Sequence, residues 1–125
     1  MRVDHSPGFL KLVADAQTRV HEISIEQARE RLAQNPKAVL MDVREDSEWN
    51  ADHVAEAKHL GRGILERDME KMFPDLNTEI IMYCGGGFRS ALAADALQTM
   101  GYTNAISLDG GWRAWVEAGL PVTKP

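Results

Sequence analysis

Cys84 is the only thiol in the chain, and the residues after it suit negative charge. The run Glu79-Ile80-Ile81-Met82-Tyr83 reads as a strand and leads directly into Cys84-Gly85-Gly86-Gly87-Phe88-Arg89-Ser90. Three consecutive glycines let the backbone bend tightly, so successive N–H groups can converge on one concavity. A helix is expected from about Ser90, and its positive dipole end aims the same way. Arg89 adds a permanent planar cation suited to sulfur and phosphorus oxyanions. The backbone amides of Gly85, Gly86, Gly87, Phe88 and Arg89 therefore read as an anion cradle with a thiol at its base.

Such a cradle favours the thiolate, which is the nucleophilic form. A thiolate can attack an electron-poor sulfur and keep it as Cys–S–S⁻, held by the kind of preorganised donors found in an oxyanion hole. A second molecule then takes that sulfur, which makes the chemistry two-step and ping-pong. The plain alternative is a buried, inert cysteine beside a flexible glycine turn.

These residues need elements to hold them. The first 20 residues carry a modest helical pattern through Phe9, Leu10, Val13 and Val20, able to pack on the domain or to support a homodimer. His21-Glu22-Ile23 fits a short strand. Ser24 followed by Gln27 forms a capping box for a helix that Asn35-Pro36 ends. Ala38 to Met41 looks like a buried parallel strand with Asp42 at its C-terminal end. Ala57 to Leu60 is a weaker strand, and residues 64–73 suit one or two short helices. Leu92, Ala93, Ala96 and Leu97 form the inward face of the helix after Cys84, with Gly101 past its end. Asn104 to Leu108 is a further strand, and Asp109-Gly110-Gly111 turns into a last helix. Strands alternating with helices predict an α/β fold with a mainly parallel sheet. In such sheets ligands bind beyond the C-terminal strand ends, where Cys84 falls.

Composition narrows the function. A chain of 125 residues fits one domain, with 44% hydrophobic and 26% charged residues. A net charge of −5 argues against nucleic acid and anionic membranes as partners, while leaving room for a local positive pocket. One cysteine excludes an internal disulfide framework and a multi-cysteine metal site. The four histidines, His5, His21, His53 and His59, lack metal-ligand spacing, so neither a metal nor another cofactor is expected. An unpaired thiol suits a reducing compartment, no run is long enough to span a bilayer, and Lys11 interrupts the apolar stretch near the N-terminus. The cytoplasm is the expected location.

The loop from Cys84 to Ser90 resembles the active-site loop of the rhodanese family. Leu40 to Trp49 resembles that family's Asp-Val-Arg motif, and His53 to Ala57 its His-Ile-Pro-Gly-Ala segment, with Ala55-Glu56 in place of Pro-Gly. Asp109-Gly110-Gly111-Trp112 resembles its Gly-Gly-aromatic turn. Order and spacing agree across roughly residues 22–122. The resemblance implies a three-layer α/β domain with a central, mostly parallel five-stranded sheet and helices on both faces. It divides the chain into an N-terminal helical extension, 1–20, and a rhodanese domain, 21–125. It implies a sulfurtransferase that takes sulfane sulfur from thiosulfate or a similar donor and passes it to cyanide, a thiol or a protein. Cys84 would be the nucleophile, with Asp42 and Arg44 beside the substrate pocket.

Two other functions compete. A cysteine phosphatase or arsenate reductase resembles this fold, but only four residues separate Cys84 from Arg89, one fewer than in those relatives. A non-catalytic interaction module is the other, and related inactive modules lack the cysteine. Of the remaining residues, Ser90 reads as a helix cap. Trp112 and Trp115 read as core residues on one helix face, Trp49 as packing or the pocket mouth, and Arg44 to Glu48 as a solvated loop and helix start. His53 or His59 could serve Cys84 as a base.

Overall fold

A computed structural model describes residues 5–124. The ends of the two expected segments, residues 1–4 and Pro125, lie outside that range. Six α-helices, one 3-10 turn (Arg62–Ile64) and seven strands are present among the described residues. Five strands form the main sheet: β1 (His21–Ile23), β2 (Val39–Asp42), β4 (Lys58–His59), β5 (Ile80–Tyr83) and β6 (Ala105–Leu108). Their order is β1-β6-β5-β2-β4, and every adjacent pair is parallel. The expected sheet is therefore present. A two-stranded antiparallel pair, β3 (His53–Val54) with β7 (Val122–Thr123), was not expected, because two-residue strands leave no periodicity to read.

The central strands are buried on both faces, which explains their unbroken apolar runs. Met41, Ile80 and Met82 face one layer with α4 (Leu65–Met72) and α5 (Phe88–Thr99). Leu40, Ile81 and Tyr83 face the other, with Ala28 of α2 (Ile25–Gln34) and Trp115 of α6 (Gly111–Glu117). The Ser24–Gln27 capping box starts α2 as expected.

Helix α1 (Pro7–Gln17) packs on the outside of α5. Val13 and Ala16 make that contact, whereas Leu10, expected on the inner stripe, is exposed. Arg19 bonds Asp95 of α5 and fastens the end of α1 there. Helix α5 is thus covered on both sides. Its buried residues, Ser90, Ala91, Ala93, Ala94 and Leu97, spread around the axis rather than along one stripe. Leu92 and Ala96, expected to face inward, are only half-buried.

Candidate active site

Three adjacent strands, β6, β5 and β2, end at one rim of the sheet and deliver the segments that build the site. Beta-5 delivers Cys84, β2 delivers Val43 and Arg44, and β6 delivers the Asp109-Gly110 turn into α6. They close around a cavity of about 520 Å³.

Cys84 lies on the floor of that cavity and is 1% exposed. The Gly87 N–H points at its sulfur, with N to Sγ 3.2 Å. Gly87 adopts φ +106°, a conformation that side chains disfavour, and this turn carries the chain from the strand into α5. Among the described residues, the backbone amides of Gly85, Gly86, Phe88 and Arg89 have no protein acceptor. These are orphan donors of a loop and a helix start, and α5 has no side-chain cap to satisfy them. They stand available to an anion.

Two of the carbonyls at the start of the loop are engaged by α6. Trp112 N–H donates to Cys84 O at 2.7 Å, and Arg113 N–H donates to Gly85 O at 3.2 Å. The first turn of α6 thereby takes both carbonyls. Gly111 makes this docking fit: it has φ +52°, and a Cβ there would collide with Cys84 O.

Ser90 does not cap α5, contrary to expectation. The N-cap is Gly87, and Ser90 is fully buried one turn further in. Its hydroxyl lies 3.7 Å from Cys84 Sγ and 2.8 Å from the Ser107 hydroxyl. Ser107 is a polar residue in a buried strand, and that anomaly was the one sequence signal that could have singled it out.

Arg44 reaches the cavity wall, but Asp42 does not. Asp42 is fully buried and grips Arg44 with both carboxylate oxygens, Nη2 to Oδ2 being 2.8 Å. It also accepts from the Arg44 backbone N–H at 2.8 Å. The Arg44 guanidinium lies 4.6 Å from the centre of the Trp112 ring. Trp112, expected in the core beside Trp115, packs half-buried against that core and also lines the cavity. Only Trp115 is buried, with its indole N–H on Pro121 O.

Glu48 also corrects its reading as part of a solvated loop. It lines the cavity and holds Arg89 through two bonds, of 2.7 and 3.0 Å. The Arg89 guanidinium holds the Glu48 carboxyl below the usual carboxylate range, against the opposing effect of burial. His53 and His59 stack on Trp49 and bond to the carbonyls of Trp49 and Arg44. Neither they nor Trp49 line the cavity; the histidine that does is His5, just before α1. No cluster of metal-ligating side chains occurs among the described residues. No described helix is long and apolar enough to cross a membrane.

Comparison with known proteins agrees with this geometry. The chain is 31% identical over 106 residues to a sulfurtransferase of Allochromatium vinosum, covering 85% of this chain and 97% of that protein. It is 36% identical over 93 residues to the thiosulfate sulfurtransferase GlpE of Tolumonas auensis, covering 74% and 85%. Among solved structures, it superposes with a TM-score of 0.83 on a Rhodopseudomonas palustris protein of unknown function described as a possible tyrosine phosphatase, at 25% identity over 98% and 99% of the two chains. The homodimeric polysulfide-sulfur transferase of Wolinella succinogenes superposes with a TM-score of 0.79 at 30% identity, over 94% and 88%. The rhodanese-like domain profile matches residues 24–118, and with the cysteine loop at the sheet rim this places the chain in the rhodanese-like domain family.

Proposed function

We propose that this protein is a sulfurtransferase that carries sulfane sulfur on Cys84 as a persulfide. One observation carries the reading: the Gly87 amide already donates to Sγ, while its neighbours in the loop have no acceptor within the protein. A cradle of this kind stabilises charge on a terminal sulfur before that sulfur arrives, so little reorganisation is needed during reaction.

In the first half-reaction the Cys84 thiolate attacks the outer sulfur of thiosulfate. A Cys–S–S⁻ bond forms, the S–S bond of thiosulfate breaks, and sulfite leaves with its electron pair. In the second, a nucleophilic acceptor attacks the outer persulfide sulfur, and Cys84 leaves as thiolate. With cyanide the product is thiocyanate; a thiol or a protein thiol gives a new persulfide. Gly85, Gly86, Gly87, Phe88 and Arg89 supply the amides of the cradle. Arg44, fixed by Asp42 and by the Trp112 face, lines the wall as a hydrogen-bonding guanidinium whose charge Asp42 offsets. The short loop between Cys84 and Arg89 suits one added sulfur better than a tetrahedral phosphate. A free thiol in this role suits a reducing, cytoplasmic setting.

The test is intact-protein mass after incubation with thiosulfate. A gain of one sulfur, removed by a thiol reductant, is expected. An unchanged mass with both thiosulfate and polysulfide would defeat the proposal.

A further inference from the structure

Arg44, Arg89 and Arg113 all line the cavity, but they are not equivalent. Asp42 neutralises Arg44 and Glu48 neutralises Arg89, each through two carboxylate oxygens. Among the described residues Arg113 has no carboxylate partner, and its side chain is exposed. Its one bond is a long one, Nε to Gly85 O at 3.4 Å. The guanidinium lies directly over Gly86, so close that a Cβ on Gly86 would collide with Nη2. Among the described residues, then, Arg113 is the cavity arginine without a carboxylate partner, and it lies over the cysteine loop.

Another part of the lining is aromatic and comes partly from α1, outside the matched residues 24–118. The His5 ring lies 5.2 Å from Phe9 and 5.1 Å from Phe88, and Phe9 lies 6.1 Å from Phe88. The cavity they share holds about 520 Å³. That is the size of sites that hold organic ligands, whereas a water molecule fills only about 30 Å³. Cyanide or thiosulfate alone would leave most of it wet.

We infer that the mouth selects an organic thiol as sulfur acceptor, one whose short apolar body ends in a carboxylate or sulfonate. Arg113 pairs with the terminal charge, and the His5–Phe9–Phe88 wall covers the body. The acceptor thiolate, R–S⁻, attacks the outer sulfur of Cys84–S–S⁻. The new S–S bond gives R–S–S⁻, and Cys84 departs as thiolate, so charge and electrons balance without any oxidant. Arg113 touches the substrate remote from the reacting sulfur and acts as a specificity-determining residue. The inference rests on the persulfide reading above.

The experiment loads the protein with polysulfide, measures the loaded fraction by mass, and follows single-turnover discharge per loaded molecule. Mercaptoethanesulfonate, mercaptoethanol and mercaptoethylamine share a two-carbon thiol body and carry a negative, a neutral and a positive terminal group. Comparing rate ratios between wild type and variant cancels their intrinsic reactivities. Arg113→Gln is expected to lower the sulfonate-over-alcohol ratio roughly fivefold, the upper range for a part-exposed ion pair. Arg113→Glu is expected to shift preference toward the amine. Phe9→Ala is expected to lower the preference for mercaptohexanoate over mercaptopropionate roughly threefold, about the value of one buried methylene. Ratios unchanged in the Arg113 variants overturn the charge assignment, and an unchanged ratio in Phe9→Ala overturns the aromatic one. A wild type that never gains sulfur defeats the persulfide reading instead, so the two failures are distinct.

Discussion

The hydroxyls of Ser90 and Ser107 meet 2.8 Å apart, fully buried beneath Cys84, with Ser90 Oγ 3.7 Å from the sulfur. One residue stands in the helix after the cysteine and the other in the neighbouring strand β6. Ser90 can accept a hydrogen bond from the thiol or donate one to the thiolate, because each hydroxyl rotates to suit. Ser90→Ala removes the hydroxyl next to the sulfur and leaves Ser107 unpaired. Its sulfur-transfer rate is expected to fall roughly tenfold, as for loss of one hydrogen bond to a charged group. Steady-state transfer from thiosulfate measures it, and a rate equal to wild type would remove Ser90 from the site.

Cys84→Ser keeps the size of the side chain and removes its nucleophilicity. The variant is expected to show no sulfur gain by mass and no transfer, with a circular dichroism spectrum matching wild type. Persistent transfer would place the reacting group elsewhere.

Gly111→Ala tests the docking of α6 on the cysteine loop. The new methyl would meet Cys84 O, at a φ of +52°. Strain and overpacking together are expected to cost about 3 kcal/mol of stability. Transfer should fall with it, because the loop carbonyls lose their fixed direction. Urea denaturation and rate assays on the same preparation check both effects.

The Glu48–Arg89 pair predicts a pH signature. Arg89 lowers the folded-state value of the Glu48 carboxyl, so the pair stabilises the fold above the ordinary glutamate range. That contribution disappears as pH falls through the lowered folded value. Glu48→Gln is therefore expected to be less stable than wild type near neutrality, by under about 1 kcal/mol because both side chains are part-exposed. The gap should close below about pH 4. Denaturation midpoints across pH measure it, and a gap that widens with acid would contradict the pairing.

The segments around Cys84 were legible because their physics is local. A strand, a glycine run and a helix start are contiguous, so their geometry follows from neighbours in the chain. The same holds for the Ser24–Gln27 cap, for β5, and for the glycine past the end of α5. Helix α5 was legible as a helix but not in its buried faces, because α1 covers a side that one helix alone cannot reveal.

By itself, the sequence determined that one thiol would sit at a strand end beneath a ring of unblocked amides, in an α/β domain with a parallel sheet. Tertiary structure alone decided what surrounds that thiol. Glu48 reaches Arg89 across 41 positions of sequence, Ser90 reaches Ser107 across 17, and α1 brings Phe9 against Phe88. Crossovers in a parallel sheet bring remote segments to one rim, and no local pattern records which side chains will meet there. The reading of Ser90 as a cap and Glu48 as solvated surface failed, and that of Trp112 as core missed its place on the cavity, for this one reason: each takes its role from a partner that the fold, not the chain order, supplies.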